Sequence, residues 1–121
     1  MRRERIEAVA DVWANATFVS DLVLRTLEIV RRGRYGTYHV VNSEVCSYYE
    51  IAVEVGRLLD VAGEELAGLI ARGVAADASW QARRPRSTPL RCIASEELGL
   101  PAMRPWHLAL ADYLHTLDGV P

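Results

Sequence analysis

The period of the hydrophobic positions changes several times along this chain, and each change marks an element. From Ile6 to Val12 apolar and polar residues alternate weakly, which predicts a short strand rich in Val and Ala. Trp13, Asn15 and Thr17 form a polar-aromatic connector. A helical period then begins, and Leu22, Val23, Thr26, Leu27 and Val30 fall on one face. Ser20 is a good N-cap for that helix and Asp21 is favourable in its first turn. Arg31 and Arg32 suit its C-terminal end, and Gly33 is a plausible stop.

Tyr35 to Val41 is the best strand candidate, because Tyr, Thr and Val favour a pleated surface and Gly and Asn stand at its edges. Tyr38 and His39 would then face opposite sides. Ser47 with Glu50 makes a capping box that starts a helix at Tyr48, buried through Ile51, Val55, Leu58 and Leu59. A short helix is expected around Glu64 to Ala71, ended by Gly73, followed by a brief strand from Val74 to Ala78. Trp80 to Pro89, WQARRPRSTP, reads as a polar loop, and Pro89 to Ile93 as extended chain. Ser95 to Leu98 reads as one helical turn ended by Gly99. Pro105 opens a last helix to about Leu117, with Trp106, Leu110, Tyr113, Leu114 and Leu117 on its apolar face. The sum is an α/β lobe: a small sheet of short strands with four to five helices, in one domain over residues 1–121.

Composition narrows the chemistry. Half the residues are hydrophobic and a quarter are charged, the balance of a globular chain. A net charge of −2 argues against nucleic acid as a partner. No apolar run fits a signal peptide or a membrane span, so the cytoplasm is the expected location. Cys46 and Cys92 lie far apart without a CxxC pattern and read as buried thiols; His39, His107 and His115 show no ligand spacing with them, so no metal is expected. All 14 basic residues are arginine. That excludes, within these residues, a Schiff-base lysine, a P-loop lysine and a lysine that lowers a tyrosine pKa. No GxGxxG and no GxSxG is present, so neither a dinucleotide-binding turn nor a nucleophile elbow is expected.

Three phrases fall into a known order. TFVSDL, Thr17 to Leu22, resembles the PTYVxDLA phrase of one enzyme family. YGTYHVVNSEVCSYYEIA resembles its G-x-YH-x-x-(G/N)-x-x-x-x-S-(W/Y)-x-E-(F/I)-A phrase. RRPRSTPLRCIASEELGLPAMRPWHLALADYL resembles its closing RP-x-x-S-x-L-D-x-S-K-L-x-x-LG-x-x-x-x-PW-x-x-AL-x-x-YL phrase. Together they mark a resemblance, from about Val9 to Leu117, to the dTDP-4-dehydrorhamnose reductases, which are extended short-chain dehydrogenase/reductases. The resemblance covers only the family's C-terminal lobe, which closes over the nucleotide-sugar. The Rossmann part, with its glycine-rich NADPH turn and Tyr-x-x-x-Lys pair, has no counterpart here. The family's Asp-x-Ser-Lys stretch is replaced by Arg91-Cys92-Ile93-Ala94-Ser95-Glu96, and the small residue and Pro before TYV by Asn15 and Ala16.

The resemblance implies a substrate site but no cofactor. Arg83, Arg84 and Arg86 are the leading candidates, since a guanidinium fork matches phosphate geometry and an arginine in this loop resembles the group that holds the pyrophosphate. Trp13 and Trp80 are candidates to stack a base or cover the pocket. His39 is a weaker candidate acid or base. The N-terminus of the helix at Tyr48 and Tyr49 is a place that attracts anions. Three functions follow. One is a non-redox binding or accessory protein of deoxysugar or secondary-metabolite biosynthesis. Another is half of a split NADPH-dependent reductase completed by a partner chain. The third is a repurposed cofactor-independent isomerase or cyclase. In all three, a homodimer or a partner protein is expected over the face the Rossmann part would cover, with the first strand and helix as candidate contacts.

Overall fold

The structure is a computed structural model and describes residues 4–117. In chain order its elements are β1 (Ile6–Val9), β2 (Trp13–Ala14), α1 (Val19–Arg32), β3 (Asn42–Ser43), β4 (Cys46–Ser47) and α2 (Tyr48–Leu58). They are followed by α3 (Gly63–Leu69), β5 (Ile70–Gly73), α4 (Ile93–Glu97), β6 (Met103–Pro105) and α5 (Trp106–Leu117). Among the described residues this is the α/β lobe with five helices, but its strands form three separate two-stranded pairs. The chain divides into two compact units.

The first unit takes the residues up to Ala14 and Cys46–Thr88. Here β1 and β5 run parallel, with Ile6 opposite Ile70 and Val9 opposite Gly73. β2 and β4 run antiparallel, with Trp13 opposite Ser47. Helix α2 packs on β1, β5 and α3. Its start follows the sequence closely. Ser47 Oγ accepts from the Glu50 N–H at 3.2 Å, and Glu50 Oε2 accepts from the Ser47 N–H at 2.8 Å. The Glu50 carboxylate therefore occupies the end of the helix that would otherwise attract an anion. Val12, Cys46 and Ile70 are the buried apolar residues of this unit. The expected strand from Val74 to Ala78 is instead a run of turns, and the strand lies just before it, at Ile70–Gly73. The β-branched Ile70 has a partner in β1, which decides the boundary.

Gly56 is buried where α2 meets α3, and a Cβ there would run into the side chain of Leu66. Glycine to alanine inside a helix ordinarily stabilises. Here overpacking reverses the sign, and Gly56→Ala should lower stability by about 1–3 kcal/mol. A lower urea midpoint at unchanged slope is the expected readout.

The second unit takes Asn15–Val45 and the residues from Pro89 onward. β3 and β6 pair in parallel, with Asn42 opposite Met103 and Ser43 opposite Pro105. Asn42 is fully buried and organises the unit. Its Oδ1 accepts from the Phe18 N–H at 2.9 Å. Its Nδ2 donates to Asp21 Oδ2 at 2.8 Å and to the Arg104 carbonyl at 3.1 Å. Arg104 in turn grips Asp21 with Nε and Nη2, at 2.8 and 2.9 Å, and also pairs with Asp112. Asp21 lies in the first turn of α1, as expected, and is also a partner of the β3–β6 pair. The helix starts two residues earlier than a Ser20 N-cap implies, at Val19, after a Phe18 N-cap that has no side-chain cap. Gly33 ends it in the left-handed region, φ 66°, as its sequence position implied.

The hydrogen bonds from Arg104, and secondarily from Asn42, hold the Asp21 carboxyl below its ordinary range, against the opposing effect of burial. A depressed folded pKa means a contribution that is complete above the unfolded value and is lost as pH falls through the folded one. An acid titration of stability should therefore show a steeper loss below about pH 4 in the native chain than in Asp21→Asn. Equal slopes would remove Asp21 from the account.

Two other expectations for this unit change. Tyr35 to Val41 is not a strand; only Asn42 and Ser43 pair, with β6. Tyr38 is half-buried and donates its hydroxyl to the Arg34 carbonyl at 3.0 Å, while His39 is exposed. The apolar face of α1 also points outward: Leu22, Val23, Leu27 and Val30 are all exposed. In α5, Trp106, Leu110 and Leu114 are half-buried, while Tyr113 and Leu117 are exposed. Pro105 closes β6, and the helix begins one residue later.

Candidate functional site

The loop from Val74 to Arg86 leaves the end of β5 and returns to β2, and it is pinned at both ends to one short stretch. At its start the Ala75 N–H donates to Asp11 Oδ1 at 2.7 Å. At its end Trp13 N–H donates to the Arg86 carbonyl at 2.8 Å, and the Thr88 N–H donates to the Trp13 carbonyl at 2.9 Å. Between the pins the chain makes tight turns, with Asp77 N–H on the Val74 carbonyl and Trp80 N–H on the Ala78 carbonyl. A loop held this way has its backbone fixed at both ends, while its side chains stand in solvent.

The loop encloses an open hollow of about 540 Å³ with Ala75, Ala76, Ala78 and Ala82 on its walls and Trp80, Arg83, Arg84 and Arg86 around it. A second open hollow, about 670 Å³, shares Trp80, Arg84 and Pro85 and adds Glu7, Val12 and Tyr48. Trp80 and Arg84 therefore stand in the wall common to both. Arg83 and Arg84 are exposed and have no ion-pair partner among the described residues. Arg86 is loosely engaged, with Nη1 3.8 Å from Asp11 Oδ2. Two guanidinium groups without a carboxylate, next to a planar indole and over small side chains, suit a dianionic group attached to a flat ring.

The sequence candidates are thus partly gathered. Trp80, Arg83, Arg84 and Arg86 line one hollow. Trp13 lies in the same unit and acts through its main chain, which clamps the loop on one side and pairs with Ser47 on the other. His39 lies in the second unit, on a different hollow of about 290 Å³ with Arg25, Cys92 and Ser95. Its ring has no carboxylate partner among the described residues; the histidine that does is His107, with Nδ1 3.4 Å from Glu44. Of the two tyrosines, Tyr48 reaches the second hollow, whereas the Tyr49 ring lies 4.3 Å from the Arg72 guanidinium and is used in packing. No group of three His, Cys, Asp or Glu side chains able to hold a metal occurs among the described residues. Asp11 escaped the sequence reading. The only available signal was an acidic residue interrupting the apolar run VADVW.

Comparison with known proteins places the chain in one family. The family model of the RmlD substrate binding domain matches residues 1–118. The dTDP-4-keto-6-deoxy-D-glucose reductase of Streptomyces niveus is 30% identical over 96% of the chain and 39% of its own length. The solved dTDP-4-dehydrorhamnose reductase of Clostridium acetobutylicum superposes with a TM-score of 0.83 at 25% identity, over 96% of this chain and 40% of that one. The Bacillus anthracis enzyme, solved in complex with NADP, gives 0.80 at 25% identity, over 94% and 39%. The chain thus spans about two fifths of the length of the relatives it matches. With a family match over nearly all of its residues, the chain belongs to the RmlD substrate binding domain family.

Proposed function

We propose that these residues bind a dTDP-linked sugar or a close relative of one, and that they take no part in hydride transfer by themselves. The role is that of a binding or accessory lobe in deoxysugar or secondary-metabolite biosynthesis. The observation that carries the reading is the pair Arg83 and Arg84, uncompensated by any described carboxylate, beside Trp80 on a loop pinned at both ends. In this reading the guanidinium groups hold the diphosphate, and the indole covers the base or the sugar. The relatives' names, reductases acting on dTDP-linked ketosugars, support the choice of ligand. Hydride transfer needs a bound cofactor, and the chain has neither a glycine-rich dinucleotide turn nor a Tyr-x-x-x-Lys pair.

Calorimetric titration with dTDP, a dTDP-sugar and NADPH tests this. The expected result is saturable binding of the first two, with NADPH at least roughly tenfold weaker, since it shares the diphosphate but not the base or sugar. No heat with any of them, or NADPH bound as well as dTDP, would refute it.

A further inference from the structure

Two poor strand formers, an acidic residue and a glycine, meet in the β1–β5 pair. Glu7 stands opposite Ala71, and its side chain reaches over Gly73, two residues on. A Cβ added at Gly73 would come 2.7 Å from Glu7 Oε1 and 2.9 Å from its Cγ, so the glycine makes room for the carboxylate. Glu7 is exposed, and its carboxylate has no ion-pair partner among the described residues. A carboxylate in that state adds little to the stability of the fold.

Glu7 lines the open hollow of about 670 Å³ together with Tyr48, Trp80 and Arg84. It is the only carboxylate among the described lining residues, and Arg84 is the only guanidinium; the two make no ion pair with each other. Tyr48 and Trp80 are 57% and 39% exposed, so both present surface to a ligand. A carboxylate grouped with aromatic side chains suits an organic cation, which takes charge from the first and the negative faces of the rings from the others. The neighbouring hollow offers the reverse, with Arg83, Arg84 and Arg86 around small side chains. Trp80 and Arg84 belong to both walls. A place for a dianion and a place for a cation therefore lie side by side.

The ligand that meets both carries a diphosphate and, beyond it, a positive group. A metal ion does not, because Glu7 has no second and third ligand among the described residues. A basic side chain of another protein would satisfy Glu7 but leave the arginines unmatched. A neutral hexose on a diphosphate could donate hydroxyls to Glu7 but would leave its charge unmatched. We propose that the sugar this site takes carries a protonated amino group, held by Glu7 beside Tyr48 and Trp80, while Arg83 and Arg84 hold the diphosphate. This rests on the nucleotide-sugar reading above and adds the class of sugar to it.

The test is calorimetric titration with dTDP, dTDP-glucose and the two analogues of dTDP-glucose in which an amino group replaces the hydroxyl on the third or the fourth carbon of the sugar. The native chain should bind at least one amino analogue roughly tenfold more tightly than dTDP-glucose, the sum of an exposed ion pair and an exposed cation–π contact. Glu7→Gln keeps the size of the side chain and removes its charge, and should bring that ratio close to one. Raising the salt concentration should shrink the ratio in the native chain as well, because the added contact is between charges. If dTDP-glucose binds as tightly as both amino analogues, the inference is overturned and the nucleotide-sugar reading stands. A preference that survives Glu7→Gln, or that salt leaves untouched, also overturns it. If neither dTDP nor any of its sugars binds, both fall together.

Discussion

Asn42→Ala should destabilise the chain by about 2–4 kcal/mol. The side chain is fully buried and makes three hydrogen bonds, to the Phe18 N–H, the Asp21 carboxylate and the Arg104 carbonyl. Truncation leaves the Phe18 donor without its acceptor and the Arg104 carbonyl without this donor, each a desolvated group of about 1–3 kcal/mol. Asn42→Asp should be worse. It replaces the donor facing Asp21 Oδ2 with an acceptor, and puts a second carboxylate beside the first in a buried setting. Urea unfolding of the three proteins gives the ranking. An alanine variant as stable as the native chain would mean that the network forms without Asn42.

Arg83→Ala combined with Arg84→Ala should weaken dTDP binding by roughly 100-fold, because charge-assisted hydrogen bonds to the diphosphate would be lost together. Both side chains are exposed and have no ion-pair partner among the described residues, so the melting temperature should hardly change. Arg83→Lys with Arg84→Lys keeps the charge but loses the planar fork and should fall between. Raising the ionic strength should weaken the native protein's binding and leave little further to lose in the alanine variant. Arg86→Ala is the internal contrast. Its guanidinium already leans toward Asp11, so a smaller loss of affinity is expected. Double-alanine binding as tight as native would move the diphosphate elsewhere.

Local chemistry was legible in the sequence where one residue pair decides the geometry. The Ser47–Glu50 box set the start of α2, and Gly33 the end of α1, because each acts through its own neighbours. The loop of arginines was legible for the same reason, since two prolines and a run of charge cannot enter a core. What escaped depends on distant partners. Thr37–Val40 has strand composition, but a strand needs a ladder, and no described strand supplies one. The apolar period of α1 was read correctly as a face, yet periodicity does not say what the face meets, and the helix turned its polar side inward to satisfy Asn42 and Arg104. Asp21 is the first-turn charge it looked like, but its pairing with Arg104, 83 residues away, left no local signal. In the candidate site, the arginines and Trp80 could be named in advance. The Asp11 anchor could not, since its partner is a backbone N–H 64 residues on.

The most direct test of the central claim is to map where a dTDP-sugar touches the protein, by following backbone and indole N–H resonances through a titration. The account predicts shifts concentrated on Trp80, Arg83, Arg84 and the alanines of the same loop, saturating together, with Asn42 and His39 unmoved. No shifts, or shifts centred on the hollow beside His39 and Arg25, would contradict it.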